Sequence, residues 1–154
     1  MEQTTAHLLS LWQEGRTRLT NVLEQITAAD LPKKLPGTPN SIGFLLRHIA
    51  DVELLFAKNV FGAQQVKVHA TTVAKPYDAG EWTDLEALKT YLTEAAEALQ
   101  SIIAAQPDSV WQETVTTREF GKKTKAEALG RITTHTAWHA GQLLMILKYG
   151  HVSS

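Results

Sequence analysis

The 154-residue chain contains no cysteine, which excludes disulfides, thiolate metal ligands and a cysteine nucleophile. It also lacks a surplus of either charge: fifteen Lys plus Arg stand against sixteen Asp plus Glu, a formal net charge of -1. With no basic field to attract nucleic acid or an anionic membrane surface, neither is expected as a partner. No apolar run approaches the length of a membrane span. Met1–Thr5 open neither a basic region nor an apolar one, so the expectation is a cytoplasmic protein without a secretory leader. Gly-x-Ser-x-Gly elbows, phosphate-cradling glycine loops, dinucleotide fingerprints and the paired glutamate helices of di-iron bundles are missing too. What is present is 44% apolar and 20% charged. That is enough for one core, and residues 1–154 are expected to form a single domain.

Four stretches carry helical periodicity. Leu8, Leu11, Trp12, Leu19, Val22, Leu23 and Ile26 make the first apolar face, with Gly15 on it, where a missing side chain would let a neighbour approach. Residues 30–40 hold three prolines and a glycine and read as a loop reversing the chain into an antiparallel neighbour. The second helix starts with Asn40 or Ser41 as N-cap and runs to about Asn59 or Phe61. Phe44, Leu45, His48, Ile49, Val52, Leu55 and Phe56 form its face, with Arg47, Asp51, Glu53 and Lys58 on the borders or behind. Residues 62–82 show no sustained period and make a long connection, which usually crosses over or lines something. The third helix opens on a capping box, Thr83-Asp84-Leu85-Glu86, and stops before Pro107. A small hairpin is expected within 108–123. The fourth helix opens on a second box, Thr124-Lys125-Ala126-Glu127, and ends at Gly150. The reading is an all-α four-helix bundle with long second-to-third and third-to-fourth connections.

The chemistry concentrates in His135-Thr136-Ala137-Trp138-His139-Ala140-Gly141-Gln142. Histidines at i and i+4 stack one turn apart and can reach a common ion. They share a side with Ala128, Ile132, Leu143 and Ile146, which points them into the bundle. His48 stands among Leu45, Val52 and Leu55 on the second helix in the same way. Three imidazoles are thus aimed at one interior. Either each finds its own carbonyl, hydroxyl or water, or the three share a metal ion with at least one coordination position left open, as in catalytic zinc sites. Asp51 lies on the edge of the His48 face. It is a candidate to orient a ligand ring or to serve as a base, the bland alternative being a solvated border carboxylate. Gln142 would orient a bound water or pack at an interface. Gly141 would bring its helix close to a neighbour, and Trp138 would pack at a border. His7, His69 and His151 are expected at the surface.

The string Leu45-Leu46-Arg47-His48-Ile49-Ala50-Asp51, the pair His135-x-x-x-His139-x-Gly141-Gln142 and the spacing Trp111…Gly121…Thr124-x-x-Glu127 resemble the DinB/YfiT-like superfamily. The resemblance covers nearly the whole chain; Trp138 stands where many relatives carry another histidine. It implies a four-helix bundle of up-down-down-up topology. It also implies a divalent metal, zinc or nickel, held by His48, His135 and His139, and a homodimer. Activities in that family include S-transfer with low-molecular-weight thiols such as bacillithiol, thiol-dependent isomerisation and metal-dependent hydrolysis. The expected function is therefore a metal-dependent S-transferase acting on a small molecule and a low-molecular-weight thiol. The alternatives are a metal-dependent hydrolase and a non-enzymatic metal-binding or dimerisation bundle.

Overall fold

The computed structural model describes residues 2–152. Met1 and Ser153–Ser154, included in the single-domain expectation, lie outside the described residues. The first helix, α1 (Gln3–Leu23), buries Thr5, Leu9, Trp12, Leu19 and Val22. Its buried stripe therefore runs through Leu9 rather than Leu11, which is 65% exposed. Leu11 precedes Trp12 by about 100° of helical turn, enough to carry it out of the contact. Gly15 lies in the stripe as expected: a Cβ there would run into Cγ2 of Thr133 on the last helix.

After a 3-10 turn at Ala28–Asp30, the short strand β1 (Lys33–Lys34) pairs antiparallel with β4 (His151–Val152) at the other end of the chain. The chain thus crosses the end of the last helix before it enters α2 (Ile42–Asn59). Consequently α1 and α2 stand diagonally in the bundle and are not the antiparallel neighbours the short loop suggested. Ser41 caps α2, its Oγ accepting from the Phe44 amide at 3.2 Å. This helix is buried round most of its circumference. Asp51 and Glu53, expected at its borders, are both fully buried.

The long connection carries one further turn of helix, α3 (Thr71–Ala74). It is followed by α4 (Leu85–Ala104), whose N-cap is Asp84, accepting from the Ala87 amide at 3.0 Å. The Thr83 box is not used, because the nearer carboxylate reaches the free amides first. A hairpin of β2 (Thr114–Thr117) and β3 (Gly121–Thr124) then leads into α5 (Lys125–Tyr149). The second capping box forms as expected: the Glu127 amide donates to Thr124 Oγ1, and Glu127 Oε2 accepts from the Thr124 amide. Gly150 ends α5 with an ordinary φ of -79°. Glycine is needed there because a Cβ would crowd the carbonyls of Ile146 and Lys34.

The main packing of α1 is against α5, and that of α2 is against α4 and α5. One apolar cluster joins Leu19 and Val22, Leu45 and Ile49, Leu88 and Leu92, and Leu143 and Ile146. The other joins Leu9 and Trp12, Val52 and Phe56, Leu99 and Ile103, and Leu129 and Ile132. Among these apolar layers runs a polar bridge that ties all four long helices. Arg16 Nε and Nη2 donate to the two oxygens of Glu53 at 3.1 and 3.2 Å, and Nη2 also reaches the Leu92 carbonyl at 3.0 Å. Thr136 Oγ1 donates to Glu53 Oε1 at 3.3 Å. Burial pushes the Glu53 carboxyl upward in pKa, and the Arg16 guanidinium works against that shift. The bridge sits one residue from His135, so it fixes α5 where the histidines need it.

Candidate metal centre

His48 projects from α2 and meets His135 and His139 from adjacent turns of α5. His135 Nε2 stands 3.3 Å from His48 Nε2 and 3.1 Å from His139 Nε2. The ligand-capable nitrogens of all three lie within 4.8 Å of one another. Nitrogens held about 2 Å from one ion at the tetrahedral angle are about 3.3 Å apart. The two Nε2 separations at His135 match that spacing.

The outer nitrogens say which tautomer two of the rings adopt. Thr72 Oγ1 donates to Asp51 Oδ2 at 2.7 Å, so only its lone pairs are left for His48 Nδ1, 3.2 Å away. His48 therefore carries its proton on Nδ1, and its Nε2 is bare. On the other side His139 Nδ1 donates to Gln142 Oε1 at 2.6 Å, which bares that Nε2 as well. His135 lies between these two lone pairs and can give a proton to one of them at most. Its own Nδ1 is buried without a partner. Three nitrogens in this arrangement leave at least one uncompensated lone pair facing another, and a cation among them removes the conflict.

The charge state agrees. Burial, then the neighbouring His139, lowers His48 to about 4, with Asp51 working the other way. Burial, then His139 and His48, lowers His135 to about 3. His139 is lowered by burial, against the hydrogen bond to Gln142. All three are neutral near pH 7, the form in which imidazole ligates.

Asp51 is neither a solvated border residue nor an open base. Its carboxylate accepts from the Thr72 amide and hydroxyl, from Arg47 Nε at 3.0 Å and from Tyr91 OH at 2.8 Å. Arg47 is in turn stacked 3.9 Å from the Tyr91 ring centroid, beside Trp82. Burial and the Asp51 carboxylate push the Tyr91 hydroxyl well above its usual pKa. Asp51 thus reaches His48 only through Thr72.

Beside the histidines opens a cavity of about 450 Å³. His48 and His135 form one wall, and Val52, Leu55 and Phe56 of α2, with Val60 just past its end, form another. Val73 from the long connection and Thr117–Phe120 of the hairpin close it. Both connections do line the site, though nothing in their sequence marked Thr72, Val73 or Phe120. Thr72 sits in a segment with no period and no motif, and only folding brings it to His48.

Other expectations fall outside the cluster. His7, His69 and His151 are exposed as expected. Trp138 is 72% exposed rather than packed at a border, because it lies about 100° round the helix from His139, on the outward side of α5. Gly141 has no atom within 4 Å of where its Cβ would be, so it serves no close approach among the described residues. Gln142 orients a histidine directly.

The DinB superfamily model matches residues 11–143. Among solved structures, the chain is similar to the mycothiol-dependent maleylpyruvate isomerase, with a TM-score of 0.70 at 16% identity over 90% of this chain and 60% of that one. A histidine-to-alanine mutant of that isomerase gives a TM-score of 0.68 at 15% identity over the same shares. At such identity the likeness is one of fold, and the chain spans 60% of the length of those proteins. No curated protein matches. With the family model covering most of its length, the chain belongs to the DinB superfamily.

Proposed function

We propose that this chain is a metal-dependent S-transferase that joins a low-molecular-weight thiol to a small electrophile. His48, His135 and His139 would hold the divalent ion, zinc or nickel. The observation that carries the reading is the convergence of three neutral imidazoles, two of which, His48 and His135, line a largely apolar cavity. Such an ion, with a coordination position left open, would supply a place where a thiol loses its proton near neutral pH. The chain contains no sulfur nucleophile of its own, so the attacking sulfur comes from the bound thiol. In the transfer a C–S bond forms, the leaving group departs with its electron pair, and the thiol proton passes to solvent.

The chain's own residues position and exclude. Thr72 and Gln142 hold the outer nitrogens of His48 and His139, so both rings present Nε2. Asp51 is a positioning residue in this account: with four donors around it, it has no free lone pair facing the cavity. Val52, Phe56 and Phe120 keep water from the apolar end. Hydrolysis would need a proton acceptor there, and Glu119, the one carboxylate among the lining residues, is paired with Arg131 at 3.6 Å. A purely structural metal would have no use for the adjoining cavity.

In the same reading the four long helices run up-down-down-up. Support comes from the clusters: α1 and α5 meet the Trp12 cluster first and the Leu19 cluster second, while α2 and α4 meet them in the opposite order. Residues 1–154 act as one domain. The homodimer implied by the family is supported by the exposed Trp138, Met145 and Tyr149 of α5. No described helix is long and apolar enough to cross a membrane, and a cytoplasmic site of action belongs to the proposal.

The test is conjugation of a haloarene with several low-molecular-weight thiols by metal-loaded, metal-stripped and His135→Ala protein. Thiol-dependent turnover only in the loaded wild type supports the reading. Turnover without any thiol would replace it with hydrolysis, and none under any condition would overturn it.

A further inference from the structure

We infer that the cavity beside the three histidines takes an apolar molecule with a carboxylate at one end, and that Arg118 holds that carboxylate at the rim. This names a substrate class for the transferase reading and rests on it for the chemistry, though the binding stands independently.

The floor sets the body of the ligand. Val52, Leu55, Phe56, Val60, Val73 and Phe120 offer aliphatic and aromatic surface, and about 450 Å³ falls within the range of small-molecule sites. Phe120 and Phe56 lie with ring centroids 5.8 Å apart, which anchors the hairpin against α2. The Phe120 amide donates to Thr117 Oγ1 at 3.3 Å and shapes the turn between β2 and β3. Arg118 is carried in that turn and lines the cavity mouth.

The charge balance around the cavity sets the end group. The one carboxylate in its lining, Glu119, already has a cation in Arg131, and Asp51, behind His48, has Arg47. Arg118 makes no ion pair and no side-chain hydrogen bond among the described residues. The lining thus holds one guanidinium without a partner, Arg118, and one carboxylate, Glu119, that Arg131 already pairs. An unpaired guanidinium at the mouth of an apolar cavity selects a planar anion that it can grip with two parallel N–H donors. A neutral molecule of the same body would leave that fork unused.

Equilibrium binding to metal-stripped protein tests this, because no ion is then present to ligate the probe. The probes are 4-phenylbutyrate and its neutral amide, followed by titration calorimetry and repeated on the metal-loaded protein. The carboxylate should bind about tenfold more tightly than the amide. Arg118→Gln should abolish that preference while leaving the amide's affinity as it was, and Glu119→Gln should preserve or increase it. Val73→Ser should weaken both probes alike. Circular dichroism of each variant confirms that the hairpin substitutions leave the fold intact. Equal affinities for the two probes, a preference surviving Arg118→Gln, or no binding of either at millimolar concentration would each overturn the inference. Preference for the carboxylate without any thiol-dependent turnover would leave the inference standing and remove the transferase reading. Turnover without the preference would do the reverse.

Discussion

Thr72 Oγ1 lies 3.2 Å from His48 Nδ1 while donating its own proton to the buried Asp51 carboxylate. A residue from an irregular connection therefore fixes the tautomer of a histidine on α2. Thr72→Val keeps the shape and removes the hydroxyl. It should weaken binding of zinc or nickel about 10- to 100-fold, the usual cost of losing a partner behind a ligating histidine. Thr72→Ser should retain most of the affinity. Competition against a chelating dye measures both, and equal affinities for the two variants would show that the hydroxyl plays no such part.

The Arg16–Glu53 bridge predicts a stability effect. Arg16→Met leaves the fully buried Glu53 facing Thr136 alone. The loss should be about 3–5 kcal/mol, because an uncompensated buried charge costs more than the pair contributes. Denaturant unfolding checks this, and a loss below about 1 kcal/mol would mean that Glu53 protonates or rehydrates easily.

A tighter packing relationship is that of Gly15 with Thr133. Gly15→Ala would gain about 1 kcal/mol in helix propensity. The added methyl, however, overlaps Thr133 Cγ2, and Thr133 Oγ1 is tied to the Leu129 carbonyl at 2.8 Å, so the side chain cannot swing away freely. Overpacking of this kind costs about 1–3 kcal/mol. Gly15→Ala should therefore lower the melting temperature. Adding Thr133→Ser, which deletes the methyl, should restore or exceed the wild-type value. A single alanine variant more stable than wild type would contradict the close approach of α1 and α5.

Acid stability should depend on Asp108. Slight desolvation works upward on its carboxyl, but the amides of Thr4 and Thr5 outweigh it and lower the pKa from 3.8 to about 2. A folded-state pKa below the unfolded one contributes stability above the unfolded value and loses it as pH falls through the folded one. Asp108→Asn should thus be less stable than wild type near neutrality, and the gap should close between pH 3.8 and about 2. Thermal melts across that range measure it. A gap independent of pH would show that the amides do not favour the charged form.

The histidine trio was legible because its members lie on apolar stripes. A polar residue inside such a stripe faces the bundle, and the three rings are half-buried there. The burial of Asp51 and Glu53 is not legible in the sequence, because hydropathy counts a carboxylate as outward-facing. Their cations, Arg47 one turn back and Arg16 on another helix, were not visible as partners. Capping is legible at Thr124, where hydroxyl and glutamate have the right spacing, and not at Thr83, where Asp84 competes for the same amides. The diagonal placement of α1 and α2 depends on β1 pairing with β4 across almost the whole chain, and two-residue strands leave no periodic trace. Thr72 and Arg118 had no local signal because their roles exist only relative to other elements.

The central claim is tested most directly by elemental analysis of tag-free protein, wild type against His48→Ala, after loading with zinc or nickel and removal of excess ion. The account predicts close to one ion per chain in the wild type and near-complete loss in the variant with its helical content unchanged. Metal-free wild type after loading, or a variant that keeps its ion, would contradict it.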